Sequence, residues 1–174
     1  MLEVSGVSKS FGGLQAVSEA SLKVSEGSIV SLIGPNGAGK TTLFAIISGF
    51  LKADSGTVSL YGDALGGLKP FQVCQMGMVR TFQITQPFAK LSILENIMIG
   101  AYARIQNPED ATAEACKVAE RVGIRVPLES SAADLNVAGR KRLELARALA
   151  TQPKILLLDE VMAGLNPTEV EEIL

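Results

Sequence analysis

The stretch SIVSLIGPNGAGKTTLFAIISG, Ser28 to Gly49, carries the strongest structural signal in the sequence. Its first six residues form a β-rich run entered through a Glu26-Gly27 turn, which predicts a strand. From about Lys40 to Ser48 the pattern becomes helical, and Gly49 stops it. Between the two, GPNGAGKTT (Gly34 to Thr42) has the spacing GxxxxGK[ST]. Gly34, Gly37 and Gly39, with Pro35, Asn36 and Ala38 between them, let the backbone fold tightly and turn its amides toward phosphate oxygens at a helix N-terminus. Lys40 adds a point charge for β- and γ-phosphates, Thr41 offers a hydroxyl to Mg²⁺, and Thr42 is placed to reach the α-phosphate.

The second half of such a site lies far downstream. Pro153 breaks the chain before ILLLDE, an apolar run suited to a strand buried on both faces. Asp159 and Glu160 stand at its carboxyl end, where open α/β sheets bind ligands. Asp159 is expected to hold the metal, directly or through water, and Glu160 to orient and deprotonate a water attacking the γ-phosphate.

Around these two segments, LEVSGV, EASLKV and DSGTVSLYGD read as strands, PFQVCQ as a short amphipathic piece and MVRTF as one more strand. From Leu91 to Ala150 the character is helical. Ser92 and Glu95 have capping-box spacing, Asn107-Pro108 pairs a cap with a first-turn proline, and Gly123 ends the helix that follows. The last helix of this block has Leu143, Ala146 and Leu149 or Ala150 as its buried stripe. Asn166-Pro167 starts another.

Composition narrows the chemistry. A net charge of −2 over 174 residues gives no global field toward nucleic acid or an anionic membrane. No apolar run approaches the roughly 20 residues of a membrane helix, and no signal segment opens the chain. Cys74 and Cys116 lack metal or redox spacing and read as small core residues in a reducing compartment. The sequence has no His, which excludes imidazole acid–base chemistry and His metal sites.

Taken together, GPNGAGKTTL, RTFQ ending in Gln83, RKRLELARAL ahead of ILLLDE, and AGLNP after it resemble the ATP-binding subunits of ABC transporters over essentially the whole chain. KSFGGLQAV, LSILENIMIGA and DEVMAGLNPTE are most similar to the branched-chain amino acid uptake group. The resemblance implies an α/β P-loop NTPase, an ABC-type ATPase with an antiparallel β subdomain and a helical subdomain. In that division, 1–85 and 152–174 form the nucleotide-binding core with its β subdomain, and 86–151 the helical subdomain. It further implies that Phe11 stacks on adenine beside Val17, and that Gln83 touches Mg²⁺ or the attacking water. The signature turn falls on Leu135, Asn136, Val137, Ala138 and Gly139. It departs from the usual LSGGQ: Asn136 replaces Ser and is expected to present an amide to a γ-phosphate, and the Ala138 methyl to crowd a close approach. The basic residues of RKRLELARAL are expected to be mostly solvated or near the nucleotide interface.

By the same resemblance the cofactors are ATP and Mg²⁺, and the partners are transmembrane permease subunits of an importer and a second ATP-binding subunit. Two ATP molecules are sandwiched in the dimer, and the place of work is the cytoplasmic face of the cell membrane. Asn166 stands where many members have Asp. The family pattern continues with further strands and a His that contacts the γ-phosphate, so the expectation is a fold missing its C-terminal strands that binds Mg-ATP and hydrolyses it poorly. A nucleotide-binding module with little or no ATPase activity is therefore the rival. A DNA-repair or translation ATPase would need a longer insertion or tandem cassettes, and a GTPase an NKxD segment, which does not occur.

Overall fold

The computed structural model describes residues 1–81 and 86–159. The chain divides into two compact units, Met1–Met76 and Gly77–Leu174. Gln83, Glu160 and the Asn166 helix lie outside the described residues.

The first unit is built on strands β1 (Leu2–Phe11), β2 (Leu14–Val24), β3 (Ser55–Leu60) and β4 (Asp63–Ala64), in the antiparallel order β2-β1-β3-β4. Leu2 and Val4 point inward at period 2, opposite Leu60 and Val58 of β3. Register shifts in the β1–β2 ladder begin after Val4. Helix α1 (Lys40–Ile47) buries Leu43, Ile46 and Ile47. Helix α2 (Pro70–Gln75) starts at Pro70, whose missing N–H costs nothing in a first turn.

The strand expected at SIVSLI is absent. Residues 28–33 carry no strand, and Ile29 and Ile33 are 98% and 91% exposed. An apolar run becomes a buried parallel strand only where neighbours on both sides accept its N–H and C=O groups. Among the described residues none pairs with it.

The second unit holds the parallel pair β5 (Met78–Arg80) and β6 (Ile155–Leu157), aligned Met78 to Ile155 and Arg80 to Leu157. Beside it are α3 (Ile93–Ala101), α4 (Pro108–Arg121) and α5 (Val137–Ala150). Helices α3 and α4 have the expected starts. Ser92 accepts from the Glu95 N–H while Glu95 accepts from that of Ser92, and Asn107 caps the amides of Glu109 and Asp110. Ile93, Ile97 and Ala101 meet Ala111, Ala115, Val118 and Ala119 and, from α5, Leu143, Ala146 and Ala150. These stripes follow helical spacing, and the many alanines allow close approach. Cys116 falls off the α4 stripe and is exposed, so it is not the core residue expected; Cys74 is half-buried.

Candidate nucleotide-binding site

In the first unit, the loop before α1 is shaped by its glycines. Gly37 and Gly39 have φ of 82° and 83°, a region that side chains rarely adopt. Gly39 also packs so tightly on β2 that a Cβ there would overlap the Ala16 carbonyl oxygen and press on Val17. This seats the loop beside Val17, which is buried. Gly39 is the N-cap of α1, and no side chain takes the cap bond. The first N–H groups of α1 are therefore free of side-chain competition, with the helix dipole behind them.

Lys40 is half-buried, and its ammonium donates to the carbonyls of Gly34 (2.6 Å) and Pro35 (2.8 Å). An ammonium has three donors, so one remains for an anion. Thr41 is exposed at the same helix start. Phe11, at the end of β1, is 49% exposed, which leaves ring surface for stacking. Lys9 lies 5.7 Å from its ring centroid and pairs with Asp54 at 2.6 Å. Asp54 also accepts from the Ser10 N–H at 2.8 Å. The Lys9 hydrogen bond first, then that of Ser10, holds the Asp54 carboxyl below the usual carboxylate range.

In the second unit Asp159 is 5% exposed, just past the end of β6. Its Oδ2 accepts from Arg80 at 2.7 Å, and its N–H donates to the Thr81 hydroxyl at 3.3 Å. Oδ1 has no hydrogen bond to a described residue. No cluster of three or more His, Cys, Asp or Glu occurs among the described residues. The single buried carboxylate of Asp159, with Oδ1 uncommitted, fits Mg²⁺, which takes one or two carboxylates and substrate phosphates in preference to an all-protein cage.

The signature turn is committed in part to its own helix. Asn136 caps α5, its Oδ1 accepting from the Gly139 N–H at 2.8 Å, so the amide oxygen is turned onto its own helix. Ala138 is only 4% exposed, so its methyl is not presented as a bar to approach. A cavity of about 490 Å³ opens at this turn, lined by Arg125, Asp134, Asn136, Gly139 and Arg142 among others.

The basic residues of α5 are also less solvated than expected. Lys141 is buried and Arg142 half-buried. Arg140 donates to Leu135 O (2.8 Å) and Ala133 O (3.1 Å), holding the turn from outside. Half-buried Arg147 lies 4.6 Å from the Phe88 ring centroid and donates to Gln86 O at 3.2 Å. Desolvation lowers its pKa, with Glu144 working the other way.

Two residues were not anticipated. Arg80 reads in sequence as a strand end, although an arginine closing a buried strand requires a countercharge nearby. Asn96, fully buried, accepts from the Phe88 N–H and donates to the Phe88 and Ser92 carbonyls. A polar residue on the apolar stripe of α3 is the signal that marks it.

A glycine loop with left-handed Gly37 and Gly39, an uncapped helix start and a lysine folded over the loop define a phosphate-binding protein of the P-loop class. The family model described as "ABC transporter" matches residues 17–163. The high-affinity branched-chain amino acid transport ATP-binding protein LivG of Salmonella typhimurium is 39% identical over 188 residues, covering 99% of this chain and 74% of LivG. BraF of Pseudomonas aeruginosa, with the same description, is 37% identical over 99% of this chain and 74% of its own length. Among solved structures, the ADP conformation of an ABC-transporter ATP-binding cassette superposes with a TM-score of 0.86 at 32% identity, over 99% of this chain and 73% of that one. The chain belongs to the ABC transporter ATP-binding family. No described helix is long and apolar enough to cross a membrane.

Proposed function

We propose that this chain is the ATP-binding and ATP-hydrolysing subunit of an importer for branched-chain amino acids. The substrate follows from the similarity to LivG and BraF. The chain's binding of the nucleotide's phosphates is supported by one observation: α1 begins at a left-handed Gly39 with its N-terminal amides uncapped and Lys40 folded over the loop. In this reading Gly34 to Gly39 wrap the phosphates, Lys40 and Thr42 contact them, and Phe11 and Val17 hold the adenine. Thr41, Asp159 and Gln83 serve Mg²⁺, which when bound neutralises developing charge on the phosphates. Glu160 is the base for the attacking water.

Asn136 and Gly139, with the backbone of buried Ala138, are assigned to the ATP of a second subunit. The Asn136 cap leaves backbone amides and the helix dipole, with the side-chain NH₂, as the contact offered there. Residues 86–151 are the helical subdomain, the partners are permease subunits, and the dimer sits at the cytoplasmic face of the membrane. Closing and opening of the dimer around two ATP molecules drives transport.

The test is Mg-ATP binding and turnover by the full chain with Lys40→Ala as control. Saturable binding lost in Lys40→Ala supports the reading. Equal binding by both chains contradicts the site, and binding without turnover contradicts the hydrolytic role.

A further inference from the structure

Arg80 closes β5, and Asp159 follows β6 by two residues. The parallel register that sets Arg80 against Leu157 brings the two side chains together, Nη2 to Oδ2 at 2.7 Å, with 7% and 6% of each exposed. The backbone beneath them is held independently. The Thr81 N–H donates to Leu157 O at 3.0 Å, and the Asp159 N–H to the Thr81 hydroxyl at 3.3 Å. Asp159 therefore keeps its place at the strand end through contacts that Arg80 does not make. What Arg80 supplies is charge, and a fixed direction for the carboxylate.

A carboxylate buried this far is costly to keep ionised without a partner, and arginine, always charged, suits a buried pair. The same positive charge weakens the pull of the carboxylate on a second cation. Resting on the reading of Asp159 as the metal ligand, we infer that Arg80 is a positioning residue, the resident counter-ion of Asp159, and that it sets how strongly this carboxylate holds a divalent cation.

The full chain is compared with Arg80→Gln, which removes the charge and keeps a donor, with Arg80→Lys, and with Arg80→Gln combined with Asp159→Asn. The first readout is the thermal midpoint in Mg²⁺ alone through the millimolar range. The wild type and Arg80→Lys stay flat; Arg80→Gln melts lower and recovers as Mg²⁺ is added; the double variant loses the response. The second readout is the Mg²⁺ needed for half-maximal binding of a fluorescent ATP analogue, which falls on the order of three- to tenfold in Arg80→Gln. Should Arg80→Gln not fold without metal, refolding in Mg²⁺ but not in NaCl of equal ionic strength is the expected result.

An Arg80→Gln midpoint indifferent to Mg²⁺, an unchanged Mg²⁺ requirement, or refolding that fails in both salts overturns the inference. Absence of nucleotide binding in the wild type would instead contradict the proposed function, and the Mg²⁺-alone arm would still decide the role of Arg80.

Discussion

Gly39 and Ala16 touch backbone to backbone: a Cβ on the first would overlap the carbonyl oxygen of the second. The phosphate loop is seated on β2 by this contact. Gly39→Ala faces both the overlap and a left-handed φ of 83°, a conformation that costs an alanine about 1–2 kcal/mol before any clash. The expected result is at least a tenfold loss of ATP affinity, on the order of 1.4 kcal/mol, with a lowered melting temperature. Titration with a fluorescent ATP analogue and a thermal scan check it; wild-type affinity would show that the loop tolerates displacement from β2.

Gly100 stands in the same relation to Arg147. A Cβ on Gly100 would overlap the Arg147 carbonyl oxygen, because α3 and α5 approach closely there. At an exposed helix position Gly→Ala stabilises by about 1 kcal/mol. Here overpacking wins, and Gly100→Ala should cost about 1–3 kcal/mol. Urea unfolding gives the sign directly, and a raised midpoint would refute the tight crossing.

Asn136 separates capping from any role toward a partner's nucleotide. Asn136→Ala removes the Gly139 cap and should destabilise by about 1 kcal/mol, whereas Asn136→Ser keeps a capping oxygen and should be near neutral. If both variants unfold at the wild-type urea midpoint, the cap contributes nothing.

Asp54 carries a pH dependence. Its carboxyl is held below the ordinary range by Lys9 and then Ser10. A depressed folded pKa gives stability that is present above the unfolded value and is lost as pH falls through the folded one. Wild type should therefore exceed Asp54→Asn in stability near neutral pH, and the gap should close below the usual carboxylate range. It should also shrink in high salt, since the Asp54 side of the pair is solvent-exposed. A gap constant with pH would place the contribution of Asp54 elsewhere.

Glu160 is expected to act chemically. Glu160→Gln should slow ATP turnover by roughly 10² to 10⁴ while leaving ATP binding intact. Steady-state hydrolysis and equilibrium binding on the same sample distinguish this outcome from a binding defect.

Local signals proved legible where the chemistry is local. The Ser92–Glu95 capping box, the Asn107-Pro108 start and the phosphate loop each specify their geometry within a few residues, so spacing alone revealed them. The apolar stripe of α5, through Leu143, Ala146 and Ala150, was readable for the same reason. SIVSLI failed because a strand is a property of its neighbours, and apolar content names no partner. Arg80 passed as an ordinary strand end, and the basic residues of α5 were misread because charge in a sequence suggests water. The structure spends these cations on Asp159, on loop carbonyls and on the Phe88 ring. Likewise Asn136 could be recognised as polar, but the direction of its oxygen, back onto the Gly139 N–H, is set by the fold of the turn.

Asn96 ties residues without regular structure to a helix. Phe88 is in neither helix nor strand, yet its amide is held by a side chain with no solvent exposure. Its proton can exchange with water only when α3 opens, so in a hydrogen-exchange map Phe88 belongs to the slow, cooperative unit of that helix. The boundary of what melts together is thus drawn by one buried amide, several residues outside the boundary that secondary structure would draw.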